Sequence, residues 1–169
     1  ADLNDFFQNE ARPHKEQLLA ETYYIEPKEA TDKGIFLPVA FVSYLNDAIS
    51  IDRNDRKATK RMLWDHIRKN IPHPKRNYET FPAVKIGRLG VERDYQGHNI
   101  GSSILNMTKD LFTTCNRTGC RFLTVDAYRN DRVINFYIKN GFQFLWKKDE
   151  KDETRTMFFD LKRVTSEQS

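Results

Sequence analysis

The sequence predicts an α/β (α+β) fold built on one mixed sheet with helices on both faces, and three observations carry that expectation. First, the second half of the chain alternates: an apolar strand pattern ending at Val91, a helical pattern from Ile100, a second strand, a short helix and two closing strands. A strand–helix–strand crossover makes the segments 83–91 and 121–127 a parallel pair. Second, the loop that joins the first of these strands to its helix contains Gly97, Asn99 and Gly101, residues that tolerate positive φ and let a backbone curl tightly. Third, the chain has 169 residues, enough to bury a sizeable core, and shows no repeat, linker or low-complexity segment. One domain over 1–169 is therefore expected.

Taken in order, residues 3–20 read as two short helical pieces interrupted at Pro13, with Leu3, Phe6, Phe7, Leu18 and Leu19 as apolar contacts. Residues 22–25 form a strand. A stronger strand covers 35–45, rich in β-branched and aromatic residues, and Asn46-Asp47 suggests a turn after it. Residues 55–70 form a helix stopped by Ile71-Pro72-His73-Pro74. Residues 81–91 form the central strand, with Pro82 marking its start. A helix over 100–116 carries Ile104, Met107, Leu111 and Cys115 at helical spacing, and Gly119 sits at its end as a C′ glycine. The strand at 121–127 has the unbroken apolar centre Phe122, Leu123 and Val125. A helix over 130–140 has Asn130 as N-cap and Gly141 as terminator. Strands at 142–146 and 156–161 close the chain, with 147–153 between them as a solvated hairpin loop.

Composition narrows the functional classes. Hydrophobic residues make up 38% and charged ones 31%, and no apolar run approaches the ~20 residues of a membrane span. The first residues lack a basic segment followed by an apolar core, so no signal peptide is expected. Cys115 and Cys120 are the only cysteines, no disulfide is indicated, and a reducing cytoplasm fits. Four scattered histidines and two cysteines give no metal-ligand spacing, so no metal is expected. The net charge of +4 points towards anionic partners.

The loop from Gln96 to Gly101 is where chemistry enters. A tight glycine-containing loop that opens a helix aims unpaired N–H groups at one point, and the helix dipole adds partial positive charge there. First turns usually carry Asp or Glu. This one offers Asn99, Ser102 and Ser103, and its first carboxylate is Asp110. A ligand phosphate could supply the missing anion; the other reading is an ordinary turn solvated by water. No Lys-Ser/Thr follows Gly101, so the loop is not a nucleotide-triphosphate P-loop, and the glycines do not fall as G-x-G-x-x-G.

Together, Leu89-Gly90-Val91, Gln96-Gly97-His98-Asn99-Ile100-Gly101 and the later block from Asn130 through Phe136-Tyr137-Ile138-Lys139-Asn140-Gly141-Phe142 resemble the GNAT superfamily of acetyl-CoA-dependent N-acetyltransferases. The resemblance covers 81–146 and implies a GNAT-like, mostly antiparallel sheet. It also implies acetyl-CoA as cosubstrate, with the pyrophosphate held by Gly97, His98, Asn99, Ile100, Gly101 and Ser102. The pantetheine arm would pair with the backbones of Leu89 and Val91 and bond Asn130, and Tyr137 would protonate or orient the departing thiolate. Asn99 stands where the family usually has glycine; asparagine can take the left-handed conformation, so altered loop stiffness is expected rather than lost binding. The stretch 86–92, Ile-Gly-Arg-Leu-Gly-Val-Glu, is similar to the subgroup of tRNA-acetylating toxins.

The resemblance makes the chain an acyl-CoA N-acyltransferase, and the residues bear on its acceptor. The segment 83–91 contains no Asp or Glu, so Glu92 and Asp126 are the candidate bases, or either is a structural ion-pair residue. An α-amine, with a reference pKa of ~7.7–8.0, needs less help than a lysine at ~10.4. In the predicted helix 55–70, Lys57, Lys60, Arg61 and Arg68 share one face with Trp64 among them. That face either contacts nucleic-acid phosphates and a stacked base or is a solvated surface. Three functions follow: acetylation of a small-molecule or protein amine, acetylation of the α-amine of aminoacyl-tRNA by a toxin, or acyl-CoA binding without catalysis. The partners are then acetyl-CoA, an amine-bearing acceptor, tRNA under the second reading, and a second copy in a homodimer. An antitoxin is not readable from the sequence.

Overall fold

The computed structural model describes residues 2–28, 37–50, 80–114, 119–146 and 149–167. Helix α1 (Asp2–Asp5) runs through a π-helical stretch (Phe6–Glu10) into α2 (Ala11–Glu16). Strands β1 (Glu21–Ile25), β2 (Ala40–Ser50) and β3 (Thr80–Val91) follow. After a 3-10 turn (Arg93–Tyr95) come α3 (Ile100–Thr114), β4 (Phe122–Tyr128) and α4 (Asp131–Lys139). Strands β5 (Gln143–Phe144) and β6 (Thr154–Asp160) and helix α5 (Lys162–Glu167) complete the described chain. The six strands form one sheet in the order β1-β2-β3-β4-β6-β5. Every neighbouring pair is antiparallel except β3 with β4.

Two irregularities in β3 shape the molecule. The parallel ladder joins only Ala83–Lys85 to Phe122–Thr124, although β3 continues to Val91 and β4 to Tyr128. Past Lys85, therefore, β3 has a backbone edge that β4 does not cover. Against β2, Ser43 faces Arg88 while Tyr44 faces Ile86, so Gly87 is the extra residue of a β-bulge. A Cβ at Gly87 would lie 2.2 Å from Leu45 Cδ1, which keeps the position small.

The bulge shifts the strand's alternation by one. Ile86, Leu89 and Val91 pack on one face with Val42 and Tyr44 of β2 and with Ile104 and Leu105 of α3. Lys85, Arg88 and Gly90 take the opposite face with their partners Leu45, Ser43 and Phe41. Phe6 and Ala11 cluster with Phe41 there, and Phe6 also lies under the Arg88 guanidinium, 5.1 Å from ring centroid to Cζ. A third cluster, containing Phe81, Phe122, Leu145 and Phe158, closes the start of β3 against β4 and β6.

The main core holds one polar link. Thr108 is fully buried on α3; its hydroxyl donates to Ile104 O at 2.7 Å and meets the Tyr44 hydroxyl at 2.6 Å. Burial pushes the Tyr44 phenol up, and the Thr108 bond partly opposes that.

Several elements differ from the sequence expectation. Pro13 does not interrupt the first helices. It sits in the first turn of α2, where a missing N–H is tolerated, and the irregularity is the π-helical stretch before it. Asn46-Asp47 is not a turn but the interior of β2, paired with Val84 and Ala83. The Asp47 carboxylate accepts from the Thr124 hydroxyl and from Ala48 N, so tertiary partners override turn propensity. The strand expected at 142–146 shortens to Gln143–Phe144 because Phe142 turns into the core. The loop before β6 is not simply solvated: Asp149 is buried and accepts from Arg155 Nε at 2.8 Å and Thr156 N at 2.7 Å. Helix α5 was not foreseen; the Asp160 carboxylate accepts from Lys162 N at its start. The expected helix at 55–70, the start of the strand at 35 and Cys115 lie outside the described residues.

Tyr44→Phe removes one of two hydrogen bonds to Thr108 and leaves a buried hydroxyl half-satisfied. It should lower unfolding free energy by about 1 kcal/mol with an unchanged denaturant slope, measured by urea denaturation.

Candidate active site

The loop before α3 curls because two of its residues are left-handed: Gly97 has φ +85 and Asn99 φ +60. Asn99 thus adopts the conformation expected for a residue standing where glycine is usual. The first turn of α3 contains no acidic side chain, so nothing local answers its dipole. Ser103 N already donates to Asn99 O at 3.0 Å, and the His98 ring turns back to Tyr95 O at 3.3 Å. Gly101 faces α4: a Cβ there would lie 3.1 Å from the Phe136 ring. The Ser102 hydroxyl accepts from Asn140 Nδ2 at 3.2 Å, a second tie between the two helices.

A cavity of about 490 Å³ opens at this loop. Gly97, Asn99, Ile100, Gly101 and Ser102 line it from the loop, Leu89 and Val91 from β3, and Asn130 and Tyr137 from α4 and its cap; His98 does not line it. The uncovered edge of β3 supplies the wall along which an extended amide chain could pair. One acceptor on it is already engaged: Val91 O takes a bond from Gln96 Nε2 at 3.0 Å, and Gln96 Oε1 takes one from Arg132 Nη2 at 2.9 Å. Asn130 caps α4 through its side-chain oxygen, which accepts from Val133 N at 3.1 Å. Its amide NH₂ makes no bond among the described residues. Nest, dipole, cationic Arg132 and open strand edge are the features a pyrophosphate with an amide-bearing arm requires, so the residues present fit CoA.

A second cavity, of about 530 Å³, lies on the bulge face beneath α1 and α2. Phe6, His14, Ser43, Lys85, Arg88 and Asp126 line it. Both cavities share Leu3, Leu89, Val133 and Tyr137, so they meet where β3 and β4 part.

Tyr137 stands at that junction. It is 6% exposed, held edge-on between Phe136 at 5.0 Å and Phe142 at 5.3 Å. Its hydroxyl makes no hydrogen bond among the described residues. Burial pushes its phenol up to about 12, so it stays protonated across the physiological range and keeps a proton to give.

Of the two carboxylates named from sequence, Glu92 is exposed and lines neither cavity; its backbone N–H is used by Val39 O at 2.8 Å. Asp126 lines the second cavity, but one oxygen pairs with Lys85 Nζ and the other accepts from the Thr156 hydroxyl at 3.1 Å. His14 was not singled out from sequence. Its Nδ1 lies 2.8 Å from Glu10 O, so in the neutral ring Nδ1 carries the proton and Nε2 the lone pair. Arg88, Ser43, Gln96 and Arg132 were also missed. For Gln96 and Arg132, the only signal was position beside the loop and the Asn130 cap. Lys57, Lys60, Arg61, Trp64 and Arg68 lie outside the described residues. Among the described residues no cluster of three or more His, Cys, Asp or Glu could hold a metal, and no helix is long and apolar enough to cross a membrane.

The fold is that of the acyltransferases. Residues 68–144 match the model of the acetyltransferase (GNAT) domain, a stretch that includes the β3–α3–β4–α4 core described above. Solved structures with the same fold include AtaT complexed with acetyl-methionyl-tRNAfMet, at 19% identity and TM-score 0.72 over 99% of this chain and 86% of that one. AtaTR bound with AcCoA is similar at 18% identity and TM-score 0.72, over 99% and 86% of the two chains. A Tyr-to-Phe mutant of KacT is similar at 17% identity and TM-score 0.70, over 98% and 85%. No curated protein sequence matches the chain.

The left-handed Asn99 gives a direct test of the loop. Asn99→Gly should bind acetyl-CoA within about twofold of wild type, because glycine takes the same φ freely. Asn99→Val should bind at least about tenfold more weakly, because a β-branched residue resists that φ and the N–H groups lose their convergence. Titration calorimetry with acetyl-CoA reads both.

Proposed function

We propose that this protein transfers the acetyl group of acetyl-CoA to a primary amine by direct attack within a ternary complex, and that the acceptor is the α-amine of an aminoacyl-tRNA. The observation that carries the transfer is the meeting of two cavities at one buried, protonated tyrosine. One cavity has the walls a CoA arm needs, and the other gives an acceptor its own entrance on the opposite face of the sheet. The acceptor reading rests on likeness to AtaT, whose structure was solved with acetyl-methionyl-tRNAfMet, and on residues 83–91 holding no Asp or Glu while Asp126 is engaged by Lys85 and Thr156. An antitoxin partner belongs to the same reading, because the AtaT toxin was solved bound to the C-terminus of the antitoxin AtaR.

Each residue then has a task. The N–H groups of 97–102 and the Arg132 guanidinium hold the pyrophosphate. The open edge of β3 at Leu89 and Val91 aligns the arm, and a backbone N–H near Leu89 meets the thioester oxygen, whose charge grows during attack. His14 Nε2 takes one proton from the incoming ammonium, directly or through water. The freed amine nitrogen bonds to the acetyl carbon as the carbon–sulfur bond breaks. Tyr137 gives its phenolic proton to the sulfur and regains one from the new amide nitrogen, so the net proton released is the one on His14.

Tyr137→Phe should lower kcat by about 100-fold while acetyl-CoA affinity stays within about twofold, since the hydroxyl acts on a thiolate formed only as the bond breaks. CoA release with methionyl-tRNA as acceptor measures it. Because burial raises this phenol, wild type should show no alkaline loss of turnover from its ionisation below about pH 11. Wild-type turnover in the variant makes Tyr137 structural; CoA release with free amines but never with charged tRNA removes the acceptor reading.

His14→Gln should lower kcat/KM about tenfold at pH 7 and approach wild type at pH 9, where an α-amine with a reference pKa of ~7.7–8.0 is neutral without help. A defect equal at both pH values assigns His14 to packing instead of proton transfer.

A further inference from the structure

We propose that Ser43 and Arg88 form a subsite for an oxyanion of the amine acceptor, a phosphate or a carboxylate. The proposal rests on the acetyltransfer reading above and adds the contact that would hold the acceptor in register.

Ser43 is 1% exposed, and its Oγ has no hydrogen-bond partner. The Nε of Arg88 is likewise buried and has none. Buried polar groups in native structures are paired, so two orphans side by side call for an explanation. They are directly opposed across the β2–β3 ladder, which puts their side chains on the same face. Both line the acceptor-side cavity.

The Arg88 side chain is already fixed at its far end. Nη1 donates to Gly87 O at 2.9 Å, and the guanidinium lies over the Phe6 ring. Those contacts leave the edge formed by Nε and Nη2, the side of a guanidinium that binds a carboxylate or phosphate with two parallel bonds. Arg88 forms no ion pair among the described residues. Of the carboxylates in the same cavity, Asp126 is committed to Lys85 and Thr156, and Glu10 makes no bond to Arg88. The cation therefore lacks a counter-ion among the described residues, and the Ser43 hydroxyl adds a third donor on the same face.

Position ties the subsite to the reaction. Arg88 immediately precedes Leu89, the residue shared by both cavities. The bulge at Gly87 keeps Arg88 on the acceptor face while Leu89 stays with α3. An oxyanion bound here sits one residue along the strand from the reacting thioester. Such spacing suits an acceptor whose amine and oxyanion belong to one small terminal unit.

The test compares three acceptors that share one amine: methionyl-tRNA, which carries phosphates, free methionine, which carries a carboxylate, and methionine amide, which carries neither. Ser43→Ala and Arg88→Lys should each raise KM about tenfold for an acceptor that uses the subsite and leave KM for methionine amide within about twofold. Whether the rise appears with methionyl-tRNA or with methionine tells which oxyanion is held. Calorimetric binding of the same compounds to the enzyme–CoA complex repeats the comparison without turnover. Ser43→Ala keeps the Arg88–Phe6 contact, so it reads the subsite even where Arg88→Lys lowers the fold's stability. A rise of equal size with methionine amide, or none with any acceptor in either assay, overturns the proposal. If methionyl-tRNA is not a substrate but methionine shows the rise, the tRNA reading fails and the subsite stands.

Discussion

The structure depends on a parallel ladder that pairs only three residues on each strand. From Ala83 to Lys85, β3 is held against β4; beyond that the two strands run on without pairing. Neighbouring strands are held in plane by their ladder, and where it ends each keeps an unused row of N–H and C=O groups. An unpaired row inside a sheet is costly unless something else completes it. Here each side of the gap opens on a cavity: one side receives the loop, α3 and the α4 cap, and the other receives the N-terminal helices. Tyr137 is buried at the junction because α4, capped by Asn130, delivers it there between two phenylalanines.

The bulge at Gly87 gives the two sides their different characters. Strict alternation would put Lys85, Gly87 and Leu89 on one face. With one residue looped out, the apolar Leu89 and Val91 stay with the main core, while Lys85 and Arg88 share the opposite face. A single strand thus gives Val91 to one cavity alone and the cations Lys85 and Arg88 to the other alone. The Tyr44–Thr108 bond steadies this arrangement by tying β2 to the middle of α3, the helix whose start forms the anion-seeking loop.

The alternating order of strands and helices, the parallel pair and the loop were legible because each rests on local rules. Periodicity placed α3, glycine and asparagine marked the tight loop, and an Asn cap with a Gly terminator bracketed α4. Asn99 shows how well such reading works, since a residue tolerant of positive φ is found at φ +60. What the sequence hid was set by distant partners. Asn46-Asp47 has a turn's composition, yet Thr124 holds Asp47 in a strand. Asp149 reads as a solvated loop residue, yet Arg155 and Thr156 N draw it inside. Asp126 reads equally as a base or an ion-pair residue, and Lys85 and Thr156 engage it. The bulge had one faint signal, a glycine inside a strand, and without its position Arg88 could not be assigned to a face.

That one looped-out residue also determines how the chain can change over evolutionary time. Substitutions along β3 alter one wall at one point and leave the other alone. Deleting a residue at the bulge, or inserting one after it, would reverse the orientation of every side chain from Arg88 to Val91, burying a guanidinium against α3 and turning leucine and valine towards the opposite face. Length in this short stretch is therefore constrained more tightly than composition. Descendants of this chain can reshape the cavity on the bulge face by exchanging its side chains, while the count of residues between Lys85 and the loop stays fixed.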